Sequence, residues 1–578
     1  MNKLAFLILF LVFQVSSHTT VRYVSKTGSS TPPYTTWATA ADGIQKCINL
    51  SNFGDTIYVA NGIYEERIYA IRGLTLIGGS MDSCVIDART FPDSAGFAAV
   101  ILRDSCTIKY FKTYASDGNY GACIGLPSLY HSRYVTIEYN KISSAYAGIS
   151  SWNSEVIIRN NIVNVRGDAI KISSLNDFVQ VVDSNYLTAG IGGGDCINIT
   201  FTGKSIIRNN ILNVLHASRG YSNSGGLPDT IIFTNNLIYS SNEHNPSRGI
   251  FASPTFQVIM NNCIIGKFDR GIRISDNNIV MNNSVYGSER GIEQYVFSVE
   301  PVIKYNNSWG NYINFSNFTP DSTNISFDPM YVNPDSMDFR LQMYSPLIDA
   351  GDPNILDADG SRSDIGVHGG PFGTSYEYLD LPPRIPVNLE AAVDSDYVIL
   401  TWNENTEADF KYYRVYKDTA SNFRIDPSKL ITETGKTEYR EPKNNRSTYY
   451  KITATDGTGN ESDPSEEAAV LIVGVEEPKV EMRDYILYQN YPNPFNAETT
   501  IGYRIKNEGY VKVTVYDIKG ERIAELVNAY QRPGYYEIKF KGTERGNDIA
   551  SGIYLYKIEV MERGIPVYVD MKKMIELK

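Results

Sequence analysis

The sequence predicts an all-β protein, with a β-solenoid in its first half and two β-sandwich domains after it. Tyrosine and phenylalanine are frequent, with 42 and 23 copies, and aromatic residues favour strands. Asparagine recurs through the first half at the period of one solenoid coil, and this repeat stops near residue 376. At 578 residues the chain is too long for one compact core, and its length fits roughly three or four units.

The repeated asparagines are spaced 21 to 26 residues apart. They are Asn140, Asn161, Asn185, Asn210, Asn236, Asn262, Asn283 and Asn307. An apolar residue follows each by two positions, and another precedes it by three or four. Asparagine tolerates the left-handed backbone of a turn, and its amide can bond to the next coil, while apolar side chains are buried only against neighbouring coils. The ladder therefore predicts stacked coils in which these asparagines are structural.

A second repeat, a small residue followed by Ile, marks one strand of each coil. Because Ile197 and Ile250 are separated by about two coils, a disguised coil is expected near residues 219–221. Charged residues beside this repeat should stack on one parallel sheet. They are Asp168, Asp195, Arg219, Arg248, Arg270 and Arg290, with Lys171, Asn198, Arg273 and Glu293 close by.

The segments YVSKTG, GDTIYVANGIYEERI and LTLIGG, with N-x-I followed by G-I-x-I, resemble right-handed parallel β-helix proteins of the pectin-lyase-like class. The resemblance covers residues 23 to about 370 and implies a right-handed parallel β-helix, which we place at residues 18–376. It indicates the fold more strongly than the activity, since lyases, glycosidases, epimerases and inert surface proteins share this fold.

Such a helix implies saccharide binding on the charged sheet. Two aspartates on adjacent coils would lie about 5 Å apart and repel unless they share a proton or a cation. Lyase chemistry would use Lys171 as the base, with Asp168 and Asp195 as further catalytic residues. Arginine forks would clamp carboxylates of the substrate. The substrate-binding candidates are Arg219, Arg248, Arg270, Arg273 and Arg290.

Whether the protein is an enzyme stays open from sequence alone. A lyase is favoured over a glycoside hydrolase for two reasons. The five histidines are scattered, and GDAIKI, GGDCINI and RGIRIS only partly resemble the motifs of polygalacturonase-like hydrolases. The alternative is a solvated charged face that binds no ligand, since exposed sheets commonly carry charge. We therefore expect a protein that binds an acidic polysaccharide, with cleavage as one hypothesis and a non-catalytic structural or adhesion protein as the alternative.

A glycine-rich loop at residues 345–370, SPLIDAGDPNILDADGSRSDIGVHGG, resembles the closing segment of secreted bacterial β-helix proteins. It carries Asp352, Asp357, Asp359 and Asp364. Clustered carboxylates suit Ca²⁺, which is the one cofactor that the sequence suggests. The alternative is a polar capping loop held by Asx-turns.

Two further resemblances cover the second half. Residues 381–474, with Trp402 on one predicted strand and Tyr413 and Tyr416 on the next, resemble a fibronectin type III domain. A linker follows at residues 475–484. The chain then reads YQNYPNPFNAETTIGYRI and, later, ASGIYLYKIEV, and with these segments residues 485–578 resemble the type A sorting domain of the type 9 secretion system. The signature is Tyr491, Pro492, Asn493, Pro494, Phe495 and Asn496. This resemblance implies a bacterium of the Bacteroidetes or a related phylum, contact with the secretion machinery, and a secreted or outer-membrane surface location.

The N-terminus and the composition agree with export. Residues 1–17 combine Lys3, an apolar run and small residues, as in a cleaved signal peptide that leads through the periplasm. The net charge of −12 argues against a general nucleic-acid binder. The six cysteines form no CxxC pair and are expected as buried thiols, although an oxidising compartment permits disulfides. We expect a monomer.

Overall fold

The computed structural model describes residues 19–577 apart from 71–72, 92–97, 117–121, 128–131, 144–145, 175–177, 191–192, 201–202, 216–217, 225–229, 241–247, 254, 296–298, 445, 472–483, 545–546 and 563–564. The expected signal peptide and nearly all of the expected linker lie outside the described residues. The chain divides into two compact units, Met1–Val470 and Leu471–Lys578. Within the described residues, no helix is both long and apolar enough to span a membrane.

The first unit begins with a parallel β-solenoid, as predicted, built from three long parallel sheets. Sheet 1 has 12 strands, Val21–Val24, Thr56–Val59, Thr75–Gly78, Thr107–Lys109, Val135–Glu138, Val156–Arg159, Val179–Asp183, Lys204–Arg208, Ile231–Thr234, Gln257–Met260, Ile279–Met281 and Val302–Lys304. Sheet 2 has 11, Ile68–Ala70, Ala98–Leu102, Ala122–Leu126, Ala147–Trp152, Ile170–Ser173, Ile197–Thr200, Arg219–Asn223, Arg248–Ala252, Arg270–Ile274, Arg290–Gln294 and Ile313–Ser316. Sheet 3 has 11, Gly62–Tyr64, Cys84–Asp87, Lys112–Tyr114, Lys141–Ser143, Ile162–Asn164, Tyr186–Ala189, Ile211–Val214, Leu237–Tyr239, Cys263–Ile265, Ser284–Tyr286 and Asn307–Trp309.

Inward-pointing apolar residues stack in columns through the solenoid. In sheet 1, Ile137 pairs with Ile158, which pairs with Val182, and all three are fully buried. Burying each such side chain stabilises the fold by roughly 1.5 to 3 kcal/mol. The expected coil at residues 219–221 is confirmed, since Tyr221 pairs with both Ile197 and Ile250. All six cysteines are buried as thiols, as expected.

The predicted asparagine ladder is confirmed. The hydrogen bonds between coils and the left-handed turn belong to two neighbouring residues. The carboxamide oxygen of Asn161 accepts the backbone N–H of Asn140 at 3.0 Å and its side-chain N–H at 3.1 Å. Asn185 does the same for Asn161. The left-handed backbone belongs to the preceding residue, such as Asn160 with φ 55° and Ser184 with φ 57°. The ladder asparagine therefore serves the hydrogen bonds, and its predecessor makes the turn.

The last predicted ladder residue, Asn307, is wrong by one position. Asn306 accepts from the backbone N–H of Asn283 at 3.0 Å, and Asn324 continues the ladder. The reason is that Tyr305 takes the left-handed turn, with φ 56°, so the next residue occupies the ladder position. Asn307 instead begins a strand of sheet 3.

Two elements cover apolar surface of the solenoid. A short helix, Ile44–Ile48, buries Ile44, Cys47 and Ile48 beside the first coils. A hairpin of Tyr331–Asn333 and Asp338–Leu341, around a 3₁₀ turn at Pro334–Ser336, lies in a second apolar cluster with Leu237 and Cys263. The helix thus caps the first coils, whereas the hairpin covers the outer face of sheet 3.

The closing segment, residues 345–370, is held by asparagines at the left-handed turn. Asn235 donates to the carbonyl oxygens of Val367 and Gly369. Asn261 donates to Ser363 and Asp364. Since these turn amides point outward, they join successive coils to one covering segment.

Antiparallel sheets follow the solenoid in the first unit. One sheet contains Glu390–Asp394, Tyr397–Thr401 and Glu438–Pro442, and the other contains Leu430–Thr434, Phe410–Asp418, Thr448–Asp456 and Ala468–Val470, with a 3₁₀ turn at Pro427–Lys429. Both sheets contribute to one core, in which Trp402 meets Tyr413 edge-on with 5.3 Å between ring centroids. This arrangement is a β-sandwich. The boundaries 381 and 474 stay a prediction.

The second unit is also built from antiparallel sheets. They comprise Ile486–Leu487, Glu498–Ile505 and Gly534–Lys541; Arg522–Gln531, Gly509–Asp517, Gly552–Glu562 and Ile565–Glu576; and the short pair Thr543–Glu544 and Asn547–Asp548. The core of this unit contains Ile501 and Tyr503 from one sheet and Val513 and Tyr556 from another.

Replacing one ladder asparagine should destabilise the solenoid. Asn236→Ala removes the acceptor of two N–H groups of Asn210 and leaves the buried backbone N–H without its partner. We expect a loss of about 3 kcal/mol, seen as a lower urea midpoint by circular dichroism. Asn164→Ala, at an exposed strand position, is the matched control and should leave the midpoint unchanged. Equal midpoints for the two variants would contradict the structural role of the ladder.

Candidate functional site

The charged residues beside the small-Ile repeat stack on sheet 2 in two columns. We define the first column as Asp168, Asp195, Arg219, Arg248, Arg270 and Arg290, and the second column as Lys171, Asn198, Ser222, Phe251, Arg273 and Glu293. Arg219, Arg248, Arg270 and Arg290 pair in register on four consecutive strands. Backbone hydrogen bonds continue the column, since Cys196 donates to Arg219 and Ala169 donates to Asp195. The structure thus brings the predicted residues together on one face.

The two aspartates are engaged by neighbouring groups. Asp168 accepts the backbone N–H of Asp195 at 2.8 Å and the side-chain N–H of Asn198 at 3.2 Å. Burial raises the pKa of Asp168, and the negative charge of Asp195 adds to this. Asp195, only 1% exposed, accepts from the backbone and Nε of Arg219 and from the hydroxyl of Ser222. Both carboxylates therefore have structural roles on this face.

A buried glutamate binds three of the arginines. Glu293 is 2% exposed and lies 2.6 Å from Arg270 Nε, 3.1 Å from Arg273 Nε and 2.9 Å from Arg290 Nη1. The contact with Arg273 is an ion pair only, and Arg273 Nε does not form a hydrogen bond to Glu293. Arg270 also pairs with Asp269. The carboxylate of Glu293 thus compensates a cluster of positive charge.

Arg248 differs from the other arginines of the face. Within the described part of the chain, no carboxylate forms an ion pair with it, and its Nε is buried without a hydrogen-bond acceptor. Burial lowers the pKa of Arg248, and the charges of Arg273, Arg219 and Arg270 lower it further, while the charge of Asp269 opposes this. Its guanidinium carbon lies 4.7 Å from the ring centre of Phe251. Arg248 is therefore a partly buried cation among other cations.

Phe251 lies at the centre of this group. Arg219 and Arg273 are 5.7 and 6.0 Å from the centre of its ring. Cation–π contact of this kind holds guanidiniums in a defined orientation. Farther along the second column, Arg273 also stacks on Tyr295 at 3.6 Å.

Lys171 lies at the other end of the second column. It pairs in register with Ser150 and Asn198, and it forms neither a hydrogen bond nor an ion pair with any described residue. Its positive charge opposes the rise in the pKa of Asp168. Three strand steps separate Lys171 from Phe251 and Arg248, which corresponds to roughly 14 Å at the usual strand spacing. A ligand that meets both Lys171 and Arg248 would therefore span three strand steps.

Sheet 1 carries a charged column of a different kind. Its residues alternate in sign from coil to coil, and they are Lys109, Glu138, Arg159, Asp183 and Arg208. Glu138 pairs with Arg159 at 2.7 Å, and Asp183 pairs with Arg208 at 2.9 Å. Like charges that stack in register are destabilising. The run of four arginines on sheet 2 therefore differs from the alternation of charge on sheet 1.

The four aspartates of the closing segment mostly cap their own turns. Asp352 accepts from Asn354, and Asp359 accepts from Ser361. Asp357 accepts the backbone N–H groups of Asp364 and Gly370. Asp364 accepts from the backbone of Asp349 and from the hydroxyl of Tyr378, and burial raises its pKa to about 6. Calcium binding by these four residues stays a prediction.

One acidic group elsewhere was not singled out from the sequence. The carboxylates of Asp380, Asp409 and Asp456 lie within 4.8 Å of one another, the only such group of three or more in the described ranges. Burial raises the pKa of Asp409 to about 6, and the charge of Asp456 contributes. These residues are far apart in sequence, so no local motif indicates their approach.

In the second unit, the signature residues 491–496 contact the last strand. The side chain of Asn493 accepts the N–H of Ile575 at 2.8 Å, and the N–H of Phe495 bonds to the carbonyl of Ile575 at 2.9 Å. Phe495 is buried against Phe540, whereas Tyr491 is 76% exposed. The signature therefore anchors the C-terminal strand and leaves one aromatic ring in solvent.

A family profile described as "Secretion system C-terminal sorting domain" matches residues 489–566. The match supports export by the type 9 secretion system, and it indicates that the protein is secreted or attached to the cell surface. The chain is thus an exported β-solenoid protein with a C-terminal sorting domain. No curated protein sequence matches it.

Several solved structures are similar to parts of the chain. The complex of XylC with xylose has 12% identity and a TM-score of 0.42, covering 54% of this chain and 87% of XylC. An alginate lyase from Paenibacillus sp. str. FPU-7 has 15% identity and a TM-score of 0.30, with 47% and 94% coverage. An Fn3-like protein from Clostridium thermocellum has 26% identity and a TM-score of 0.14, with 16% and 98% coverage.

The site contains two roles that sequence reasoning missed. Glu293 was placed near the column, but its ion pairs with three arginines were not foreseen. Phe251 is uncharged and so does not belong to the charged residues counted above, yet its ring is shared by three guanidiniums. Counting the register from Arg273 to Glu293 on the next strand could have revealed the first role, because in-register neighbours are adjacent.

The raised pKa of Asp364 predicts a pH-dependent stability difference. The folded protein keeps this proton up to about pH 6, whereas an exposed aspartate loses it near pH 3.8. The unfolded chain therefore ionises first, and the wild-type unfolding free energy falls as pH rises through this window. Asp364→Asn lacks this loss. Its unfolding free energy relative to wild type should therefore rise by at most about 3 kcal/mol between pH 4 and 6. Burial lowers the pKa of His368 to about 4, but His368 is present in both proteins and cancels.

Urea unfolding at several pH values measures this difference. Asp359→Asn is the matched control, because hydrogen bonds from Ser361 lower the pKa of Asp359. Its stability relative to wild type should not rise with pH. If the difference in unfolding free energy between Asp364→Asn and the wild type did not change with pH, Asp364 would not retain its proton in the folded state.

Proposed function

We propose that this exported protein binds an acidic polysaccharide through the arginines of sheet 2. The observation that carries this proposal is the stacking of Arg219, Arg248, Arg270 and Arg290 on four consecutive strands. Arginine forks match carboxylate and sulfate groups, and a polymer with repeated anionic groups can contact several coils at once.

The comparison between the two charged columns supports this proposal. A solvated face needs no repeated charge of one sign, and sheet 1 shows the stable solution, in which lysine or arginine alternates with an acid. Sheet 2 keeps its arginines adjacent although this raises their mutual repulsion. An anionic ligand would remove that repulsion. A cell-surface or secreted location gives such a face access to extracellular glycans.

Binding is tested on affinity gels that carry polygalacturonate or a neutral galactan. The wild type should be retained by the acidic gel alone and should elute with salt, because salt screens exposed charges. A triple variant with Arg248, Arg270 and Arg290 changed to Gln should lose retention, while Arg273 stays paired to Glu293. The matched control changes Lys109, Arg159 and Arg208 to Gln on sheet 1. Equal loss in both triple variants would reduce the effect to net charge and sink the proposal.

Cleavage by a lyase mechanism is a second candidate function. The observation that favours it is Lys171, which lacks a hydrogen bond or ion pair with any described residue and lies near Asp168 on the same face. Because no described carboxylate holds this side chain, it is available to a bound sugar. Three strand steps separate Lys171 from Arg248, so cleavage needs a substrate that spans both positions, whereas binding needs the arginines alone.

Turnover is tested by following unsaturated sugar ends in ultraviolet absorbance with acidic polysaccharides, with and without a chelator. If the protein is a lyase, Lys171→Ala should abolish product formation, since the base is removed. Lys141→Ala, on sheet 3, is the control and should leave the rate unchanged. Absence of product with the wild type would exclude cleavage of the tested polymers and leave the binding proposal standing.

A further inference from the structure

Resting on the proposed function, we further propose that Arg248 forms a subsite for one carboxylate or sulfate-ester group of the glycan. The neighbouring arginines shape this subsite, but internal carboxylates compensate their charges. Recognition of the glycan then depends on Arg248 rather than on the summed charge of the arginines of sheet 2.

Four of the five arginines are already paired within the described chain. Arg219 lies 3.0 Å from Asp195, and Arg270, Arg273 and Arg290 all pair with Glu293. A guanidinium that is held by a buried carboxylate gains less from an external anion, because the ligand must compete with an existing ion pair. These four residues therefore offer less binding free energy than an uncompensated arginine.

Arg248 is the exception on geometric grounds. It lies in register between Arg219 and Arg270, and none of the described carboxylates pairs with it. The ring of Phe251 at 4.7 Å supports its guanidinium from one side. The buried Nε without an acceptor leaves the terminal nitrogens as the groups that can meet a ligand. An oxyanion at these nitrogens would complete the pairing and relieve the repulsion from both in-register neighbours.

The chemistry of the subsite favours a monovalent oxyanion. A guanidinium fork presents two parallel N–H groups, which fit two oxygens of a carboxylate or of a sulfate ester. No divalent cation is needed for this contact, so binding should persist in a chelator. The shared chemistry is therefore an anionic oxygen pair on a sugar, and the source of that group is decided by experiment.

Glu293 acts as a positioning residue for this subsite. Its single carboxylate holds three arginines and so confines the uncompensated charge to Arg248. Glu293→Gln would release those arginines and should increase the affinity for polyanions, an effect that simple structural damage would not produce. Glu138→Gln is the matched control, because Glu138 is also buried and pairs with Lys109 and Arg159 on sheet 1.

Isothermal titration calorimetry of the full chain tests the proposal with three probes, an oligogalacturonate, a sulfated galactan oligosaccharide and a neutral galactan oligosaccharide. Arg248→Gln should weaken the preferred anionic probe about tenfold, which is the loss expected for a charge-assisted hydrogen bond. Arg248→Lys should recover part of the affinity, because it keeps the charge without the fork. Arg159→Gln, the control on sheet 1, should change the affinity less than twofold. Preference for one anionic probe identifies the group as carboxylate or sulfate.

The outcomes separate this proposal from the proposed function. If Arg248→Gln binds like Arg159→Gln while the triple arginine variant loses binding, the arginine face stands and the Arg248 subsite is wrong. If the wild type binds neither anionic probe more tightly than the neutral one, both are wrong. Tighter polyanion binding by Glu293→Gln, but not by Glu138→Gln, supports the positioning role. Should Glu293→Gln fail to fold, the comparison of Arg248→Gln with Arg159→Gln decides alone.

Discussion

The solenoid depends on one repeated interaction, in which a buried asparagine side chain accepts the backbone N–H of its counterpart in the preceding coil. Asn210 shows the pattern, because its amide oxygen serves Asn185 while its own N–H groups bond to Asn236 and to backbone carbonyls. The amides satisfy turn groups that would otherwise be buried without partners. They also prevent one coil from slipping against the next. From Asn140 onward, the other columns of the solenoid keep the same register.

The same register turns sequence into surface chemistry. Because equivalent residues stack about 5 Å apart, any charge repeated at one position faces itself on the next coil. Two like charges at this distance repel by roughly 1 kcal/mol in bulk water and by several times more at the lower effective dielectric of a protein surface. Sheet 1 avoids this repulsion by alternation, as between Glu138 and Arg159. Sheet 2 offsets it with the buried Glu293, yet leaves Arg248 uncompensated within the described residues.

In the second unit, the strongest sequence motif has a structural role as well. Residues 491–496 pair with the last strand through Asn493 and Phe495, so the two ends of this unit hold each other. Of the two aromatic side chains of the signature, Phe495 is buried and Tyr491 is exposed to solvent.

The sequence by itself determined the coil period, the apolar columns and the position of the arginine column, because each depends on a repeat that can be counted. It also determined the sorting domain, whose motif is local. Tertiary structure alone decided that Asn306 rather than Asn307 continues the ladder, since two adjacent asparagines were available and the left-handed turn at Tyr305 selects between them. It alone decided which arginine lacks a carboxylate, because long side chains choose partners across coils by reach and burial. Glu293 could have paired with any nearby cation, and its position beneath Arg270, Arg273 and Arg290 left Arg248 as the exception.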